Sequence, residues 1–223
     1  MKNLNVNRYI QHTLLKITSA SDDIKKICDE CIEHNFQAVC VQPMWVDLAV
    51  KELENSDTVV CAVADFPHGA GSVKAKACEV AELVSRGVEE IDVVCKIGWL
   101  LSGLDKEFRD DLAAVVEAGQ GKITKVILET SILTGENLAR AIELAIDARI
   151  DYIKTASGFN GPGATVEIIK QMSELAGGRI KVKAAGGIRS YEDAVAMIEA
   201  GADILGTSSG VAIVTGAEGG GSY

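Results

Sequence analysis

Positive charge is scarce in this chain: 22 Lys and Arg stand against 32 Asp and Glu, so 22 − 32 gives −10. That balance disfavours a nucleic-acid or anionic-membrane surface, because both need clustered Lys and Arg against phosphate. An anionic small molecule stays compatible with it, given local positive groups. Long apolar runs are missing too. No stretch approaches the ~18 residues of a membrane span, and the opening MKNLNVNRYIQHTLLK has no continuous apolar segment of the signal-peptide kind. The expectation is a soluble, cytoplasmic protein. Cysteine is absent from the second half; the six are Cys28, Cys31, Cys40, Cys61, Cys78 and Cys95. With none to partner them elsewhere, a disulfide framework is excluded and a reducing compartment fits. Cys28 and Cys31 form a CxxC followed by His34, a zinc-like spacing. They share an apolar helical stripe with Ile24, Ile27 and Ile32, however, and no second ligand pair follows, so they read as core residues and no metal is expected.

Prolines number three in 223 residues, and no linker or low-complexity block interrupts the chain before the terminal GAEGGGSY. One domain, 1–223, is expected, with about 216–223 as a flexible tail. Short β-branched runs alternate with amphipathic segments along its length. The strand candidates are 12–16, 38–42, 58–65, 90–96, 125–130, 151–157, 180–187 and 203–209. Segments such as SDDIKKICDECIEHN and TGENLARAIELAIDA begin at Ser or Thr, and SYED at Ser190 to Asp193 has capping-box spacing. Eight β-α units in this length imply an α/β fold closed into a (β/α)8 TIM barrel. A doubly wound sheet would place its phosphate-binding glycines after the first strand, whereas here they follow the sixth and seventh.

An internal repeat locates the barrel interior. GVEEID (87–92), RIDYIK (149–154) and GADILG (201–206) align without gaps, and NFQAVC (35–40) fits the same frame. Each ends at an equivalent slot on an even-numbered strand, and alternate strands of such barrels contribute to common layers. Cys40, Asp92, Lys154 and Gly206 are therefore expected to meet, with Val94, Ala156 and Ser208 on the same face. Lys154 and Asp92 then form either a buried ion pair or part of a reactive site.

A second lysine, Lys183 in KVKAAGG, lies at the same end of a neighbouring strand; its bland reading is a solvated strand end. An ordinary lysine, with a pKa of ~10.4, is protonated at neutral pH and cannot attack a carbonyl. Desolvation plus a neighbouring cation can cost the charged form about 4 kcal/mol, leaving one amine neutral and able to form a Schiff base. Lys154 is the candidate nucleophile, Lys183 the cationic neighbour and Asp92 the proton shuttle. Glycines supply a second half-site. GFNGPG follows strand six, Gly186 and Gly187 follow strand seven, and GTSSG opens a helix after strand eight, where backbone N–H groups commonly meet a phosphate.

Taken together, DYIKTASGFNGPGAT, VKAAGGIRSYEDA, EEIDVV and GTSSG resemble the deoxyribose-phosphate aldolases, and HTLLK, AVCV, FPHGA and VILET extend the similarity over essentially the whole chain. The resemblance implies reversible cleavage of 2-deoxy-D-ribose 5-phosphate to D-glyceraldehyde 3-phosphate and acetaldehyde, a step of deoxyribonucleoside catabolism that needs no cofactor and no metal. It implies Lys154 as the Schiff-base lysine, Lys183 as the second lysine and Asp92 as the proton relay. It places the phosphate on Gly158, Gly186, Gly187, Gly206, Ser208 and Ser209, and puts Thr13, Cys40 and Lys96 near the substrate. It also suggests a catalytic role for the terminal Tyr223, whose alternative is a disordered terminus, and a homodimer, since such relatives are often dimers.

The chain departs from the family pattern at several places. Gln11 stands where Asp is common, removing a negative charge beside the lysines. Gln42 replaces a common Asn, and VCKIG replaces VINIG. Lys96 is thereby placed four residues beyond Asp92, either contacting phosphate or projecting into solvent, and Trp99 replaces a small residue. The expectation is intact Schiff-base chemistry with altered acceptor preference. Cys40, one layer-neighbour from the Schiff base, is placed to add to a conjugated enal formed from acetaldehyde, or is simply a small core residue. The rival readings are a related lysine-dependent aldolase with another acceptor and a non-catalytic phosphosugar-binding barrel.

Overall fold

The computed structural model describes residues 4–217. Eight parallel strands close into a barrel in sequence order, with β8 pairing back onto β1. They are β1 (Ile10–Leu14), β2 (Ala38–Val41), β3 (Val59–Ala64), β4 (Glu90–Val94), β5 (Ile123–Ile127), β6 (Tyr152–Lys154), β7 (Lys181–Ala185) and β8 (Ile204–Thr207). The helices around them are α1 (Ser21–Glu33), α2 (Val46–Glu52), α3 (Val73–Ser85), α4 (Ile97–Leu101), α5 (Asp105–Ala118), α6 (Gly135–Asp147), α7 (Val166–Ala176), α8 (Tyr191–Glu199) and α9 (Gly210–Thr215). Among the described residues no helix is long and apolar enough to cross a membrane.

The repeat has a backbone cause. Its first residue adopts positive φ in all four copies: Asn35 51°, Gly87 94°, Arg149 64° and Gly201 110°. Each is the left-handed exit that ends a helix and turns the chain into the next strand. Glycine supplies that conformation without strain, which is why two of the four are glycine. The Ser190 capping box also forms: its hydroxyl accepts from Asp193 N at 3.1 Å, and its own N–H donates to Asp193 Oδ2 at 3.1 Å.

Alternation along the strands divides the core. Outward residues such as Val39, Val60, Ile91, Val126, Ile153 and Leu205 join the helices in one continuous apolar shell. Inward residues split into two halves. Leu15, Ala38, Cys40, Cys61 and Val63 form a small apolar cluster on the β1–β3 side, capped by Phe66. The β4–β7 side instead carries Glu90, Asp92, Lys125, Lys154 and Lys183, all buried.

Some expectations shift. The first strand begins at Ile10, two residues earlier than read, and includes the buried Gln11. Cys28 and Cys31 are buried in the shell, but Ile32, expected on their stripe, is 47% exposed. One turn after Cys28, it points past the contact line between α1 and the barrel.

Candidate active site

Asp92, on the middle of β4, is the hub. Its Oδ2 accepts from Lys154 Nζ and Lys183 Nζ, each at 2.7 Å. Its Oδ1 accepts from Lys125 Nζ at 3.0 Å and from Cys61 Sγ at 3.4 Å. Four donors match the roughly four lone-pair sites a carboxylate offers. Register brings them there: Asp92 is the lateral partner of Lys125, and Lys154 of Lys183. Lys154 ends β6, at the same end of the barrel as the loops that follow β6 and β7.

Charge bookkeeping needs one more carboxylate. Glu90 Oε2 lies 2.6 Å from Lys125 Nζ and accepts from Gln11 Nε2 at 2.6 Å, while Gln37 Nε2 donates to Oε1 at 2.5 Å. Gln11 Nε2 also donates to Gln37 Oε1 at 2.7 Å, and Gln11 Oε1 accepts from Lys183 Nζ. Three ammonium groups thus face two carboxylates, leaving 3 − 2 = +1 in a dry interior. Lys125 holds two carboxylates. Lys183 holds one plus the Gln11 carbonyl. Lys154 holds Asp92 alone, so it is the ammonium least secured against losing its proton.

The pKa shifts follow from this packing. Burial works against ionised Asp92, but Lys125, Lys154 and Lys183 outweigh it and hold the carboxyl well below the usual range. Glu90 is likewise lowered, burial being overcome chiefly by Lys125. Burial pulls Lys154 down, yet the Asp92 charge prevails and its pKa is raised; Lys125 is raised well above the ordinary value for the same reason. This corrects the expectation that burial together with the Lys183 charge would keep Lys154 neutral. Asp92 accepts from both amines, so the resting Lys154 is an ammonium whose proton must cross a 2.7 Å hydrogen bond before it can attack.

The signs set a stability profile. Depressed carboxylates contribute fully above their unfolded values of ~3.9 and ~4.3 and lose that contribution as pH falls through the folded values; raised lysines contribute fully below ~10.4 and lose it as pH rises. Urea midpoints measured from pH 3 to 11 are therefore expected to show a plateau between about pH 5 and 10, with losses on both sides. A steady decline across that plateau would contradict the assignment.

Lys125, Glu90, Gln37 and Cys61 were missed from the sequence. The two-residue alternation was extended forward from Asp92 to Val94 but not backward, where it would have reached Glu90. Lys125 headed its strand candidate and was assigned no role. Glu129 was missed as well: buried just past β5, it accepts from Ser157 N and fixes the exit of β6.

The remaining candidates fall into three groups. Gly158 and Gly187 are exposed and Gly186 is buried, all with positive φ in the loops after β6 and β7. These loops touch backbone to backbone: a Cβ on Gly163 would lie 2.3 Å from the Gly186 carbonyl carbon, and Ala164 N donates to Gly186 O at 3.0 Å. Ser208 is half-buried. Ser209 is buried before α9, where its N–H donates to Thr207 Oγ1 at 2.9 Å and its hydroxyl has no partner among the described residues. Gly206 faces the amine cluster rather than a loop, because a Cβ there would meet Lys183 Cε at 3.0 Å. It makes room for the lysine stem.

Thr13 and Cys40 are buried inside the barrel, Thr13 Oγ1 donating to Gln11 O at 3.0 Å. Lys96 behaves otherwise. Its ammonium donates to Gly71 O at 2.5 Å, Gly69 O at 3.2 Å and Asp65 Oδ2 at 3.3 Å, and lies 5.4 Å from the Trp99 ring centroid. It belongs to a second buried ion cluster with Asp65, Lys76 and Asp111. The four-residue spacing failed because β4 ends at Val94, and Lys96, at φ −85° and ψ 77°, has left the pleat. Beside it the β3–α3 and β6–α7 loops meet: Asn160 Nδ2 donates to Pro67 O at 2.9 Å, and the Phe66 and Phe159 rings stack edge-on at 5.3 Å. Tyr223 lies outside the described residues.

Comparison with known proteins places this geometry. Residues 9–216 match the family model for DeoC/LacD family aldolases. A deoxyribose-phosphate aldolase of Brevibacillus brevis is 47% identical over 215 residues, 96% of this chain and 97% of that protein. The one from Finegoldia magna is 46% identical over 213 residues, covering 96% and 100%. Among solved structures, the tetrameric deoxyribose phosphate aldolase of Aeropyrum pernix superposes with a TM-score of 0.88 at 28% identity, over 94% of this chain and 89% of that one.

Proposed function

The chain belongs to the DeoC/LacD family of aldolases, and from that premise we propose that it reversibly cleaves 2-deoxy-D-ribose 5-phosphate to D-glyceraldehyde 3-phosphate and acetaldehyde. It is an aldolase and hence a lyase. The observation carrying the residue assignment is that, among the described residues, Asp92 is the one hydrogen-bond acceptor of Lys154, whereas Lys183 also holds Gln11 and Lys125 also holds Glu90, and that Lys154 sits at the end of its strand. Asp92 takes the Lys154 proton; the free amine attacks the aldehyde carbon, and loss of water gives the iminium. Asp92 gives its proton to the departing hydroxyl and then accepts the C3 hydroxyl proton as the C2–C3 bond breaks; glyceraldehyde phosphate leaves with its new carbonyl, and the bonding pair stays as an enamine. Protonation at carbon and hydrolysis then release acetaldehyde and restore the amine. Lys125 and Lys183 keep Asp92 an anion between proton transfers.

The phosphate end falls to the loops after β6, β7 and β8, where Gly158, Gly186, Gly187 and Ser208 stand beside the mouth. The setting we infer is cytoplasmic, which the free cysteines support, and the assembly a homodimer, which is read from the family alone. Reduction with borohydride in the presence of acetaldehyde tests the reading: an ethyl group mapped to Lys154 is expected. Bound phosphosugar with no adduct would favour a binding protein over an aldolase, and a faster rate with unphosphorylated deoxyribose would favour another acceptor.

Two variants separate the neighbouring lysines. Lys183→Leu removes the cation beside Lys154 and leaves two ammonium groups against two carboxylates, so the neutral amine becomes harder to reach. The rising limb of the pH–rate profile is expected to move up by about one pH unit or more; an unmoved limb would sink the cationic-neighbour role. Lys96→Met is expected to destabilise the fold by about 3 kcal/mol, by stranding Asp65 and Asp111 on Lys76, while KM for the phosphosugar stays within about twofold. A tenfold rise in KM would return Lys96 to the phosphate.

A further inference from the structure

The mechanism leaves two buried thiols unused. Cys40 and Cys61 are lateral partners on adjacent parallel strands, both inward on the apolar side of the interior. Neighbouring strands lie ~4.8 Å apart, inside the ~4.4–6.8 Å between Cα atoms that a disulfide spans. The two sulfurs and an Asp92 oxygen all lie within 4.8 Å of one another. That trio has the donor atoms for a soft cation, but the Asp92 oxygens are already occupied by three ammonium groups. A cation would have to displace them.

We propose that Cys40 and Cys61 are a redox modification site, closing to a disulfide under peroxide and silencing the barrel until a dithiol reopens it. The two sulfurs are not equivalent. Cys61 donates its S–H to Asp92 Oδ1 at 3.4 Å and so keeps its proton, with burial holding its pKa well up, whereas Cys40, beside the Cys61 sulfur and the Lys183 and Lys154 charges, is lowered to about 7 despite burial. Cys40 is thus the attacking thiolate and Cys61 the resolving thiol. The Cys40 sulfur attacks one peroxide oxygen, the O–O bond breaks, and the departing hydroxide takes a proton to leave as water. Cys61 then gives up its proton and attacks the Cys40 sulfenic sulfur, expelling a second water. Two thiols are oxidised and one peroxide is reduced to two waters. Peroxide is no larger than acetaldehyde, so its access rests on the reading of Lys154 as the nucleophile; the disulfide itself does not. Closure takes the Cys61 S–H away from Asp92 Oδ1, where it donates at 3.4 Å, and the neighbouring thiolate away from Lys154.

The test uses the full chain carrying Cys78→Ser, which removes the exposed competitor. After hydrogen peroxide and alkylation under denaturing conditions, the expected product has lost two hydrogens and gives a peptide linking Cys40 to Cys61. Activity is expected to fall at least tenfold in step with that peptide and to return with dithiothreitol. In Cys61→Ala the link cannot form, and Cys40 is expected to carry one or two added oxygens whether or not that variant turns over. A parent that gains oxygen on Cys40 without the linked peptide overturns the disulfide. A linked peptide in fully active enzyme overturns the silencing.

Discussion

Lys154→Met is expected to lose at least ~10⁴-fold in turnover while folding as well as the parent. The retained stability is the informative half. Removing this ammonium leaves Lys125 and Lys183 against Asp92 and Glu90, so the buried charge falls from +1 to zero and each remaining group keeps a partner. Methionine fills much of the vacated volume without a polar atom to satisfy. Steady-state rates, a urea titration and borohydride capture with acetaldehyde read the three consequences. Capture should vanish, and an ethyl adduct transferred to Lys183 with turnover above a tenth of the parent would reassign the nucleophile.

Asp92→Asn is expected to fail differently, losing about 3–5 kcal/mol of stability together with ~10²–10⁴-fold in turnover. Three ammonium groups would share Glu90 alone, and the new amide NH₂ would face donors where the carboxylate accepted. Lys154 would also lose the charge that holds its proton. Imine capture is therefore expected to persist and to begin at lower pH, even as the later proton transfers stall. The split between a retained first covalent step and lost turnover separates a proton relay from a structural counter-ion; loss of both in equal measure in a folded variant would make Asp92 structural.

The barrel and its reactive centre were legible in the sequence because both rest on strict periodicities. The repeat that begins at Asn35, Gly87, Arg149 and Gly201 marks four left-handed helix exits, and each lies a fixed number of residues from an inward strand position. Asp92 and Lys154 followed from it, and Lys183 from the KVKAAGG strand beside them. What stayed hidden was polar and buried at once. Glu90 and Lys125 carry residue types usually found in solvent, and only their contact across neighbouring strands makes burial tolerable. Lys96 was misplaced for the opposite reason: alternation was carried beyond the last paired residue, where it no longer constrains direction. Gly206 was placed in the inward layer with Asp92 and Lys154, where it does face the lysine stem, and also read as a phosphate residue, which that position does not support.

The two-sided lining of the barrel bears on how the enzyme can be reshaped. Electric potential and molecular contour are supplied by separate arcs of the wall, one from β4 to β7 and the other from β1 to β3 with Phe66. Leu15 and Val63 take part in none of the ion pairs, so trimming either is expected to change the shape of the interior without removing an ionic partner. The same chain can thus diversify its substrates by carving one arc while its chemistry stays on the other.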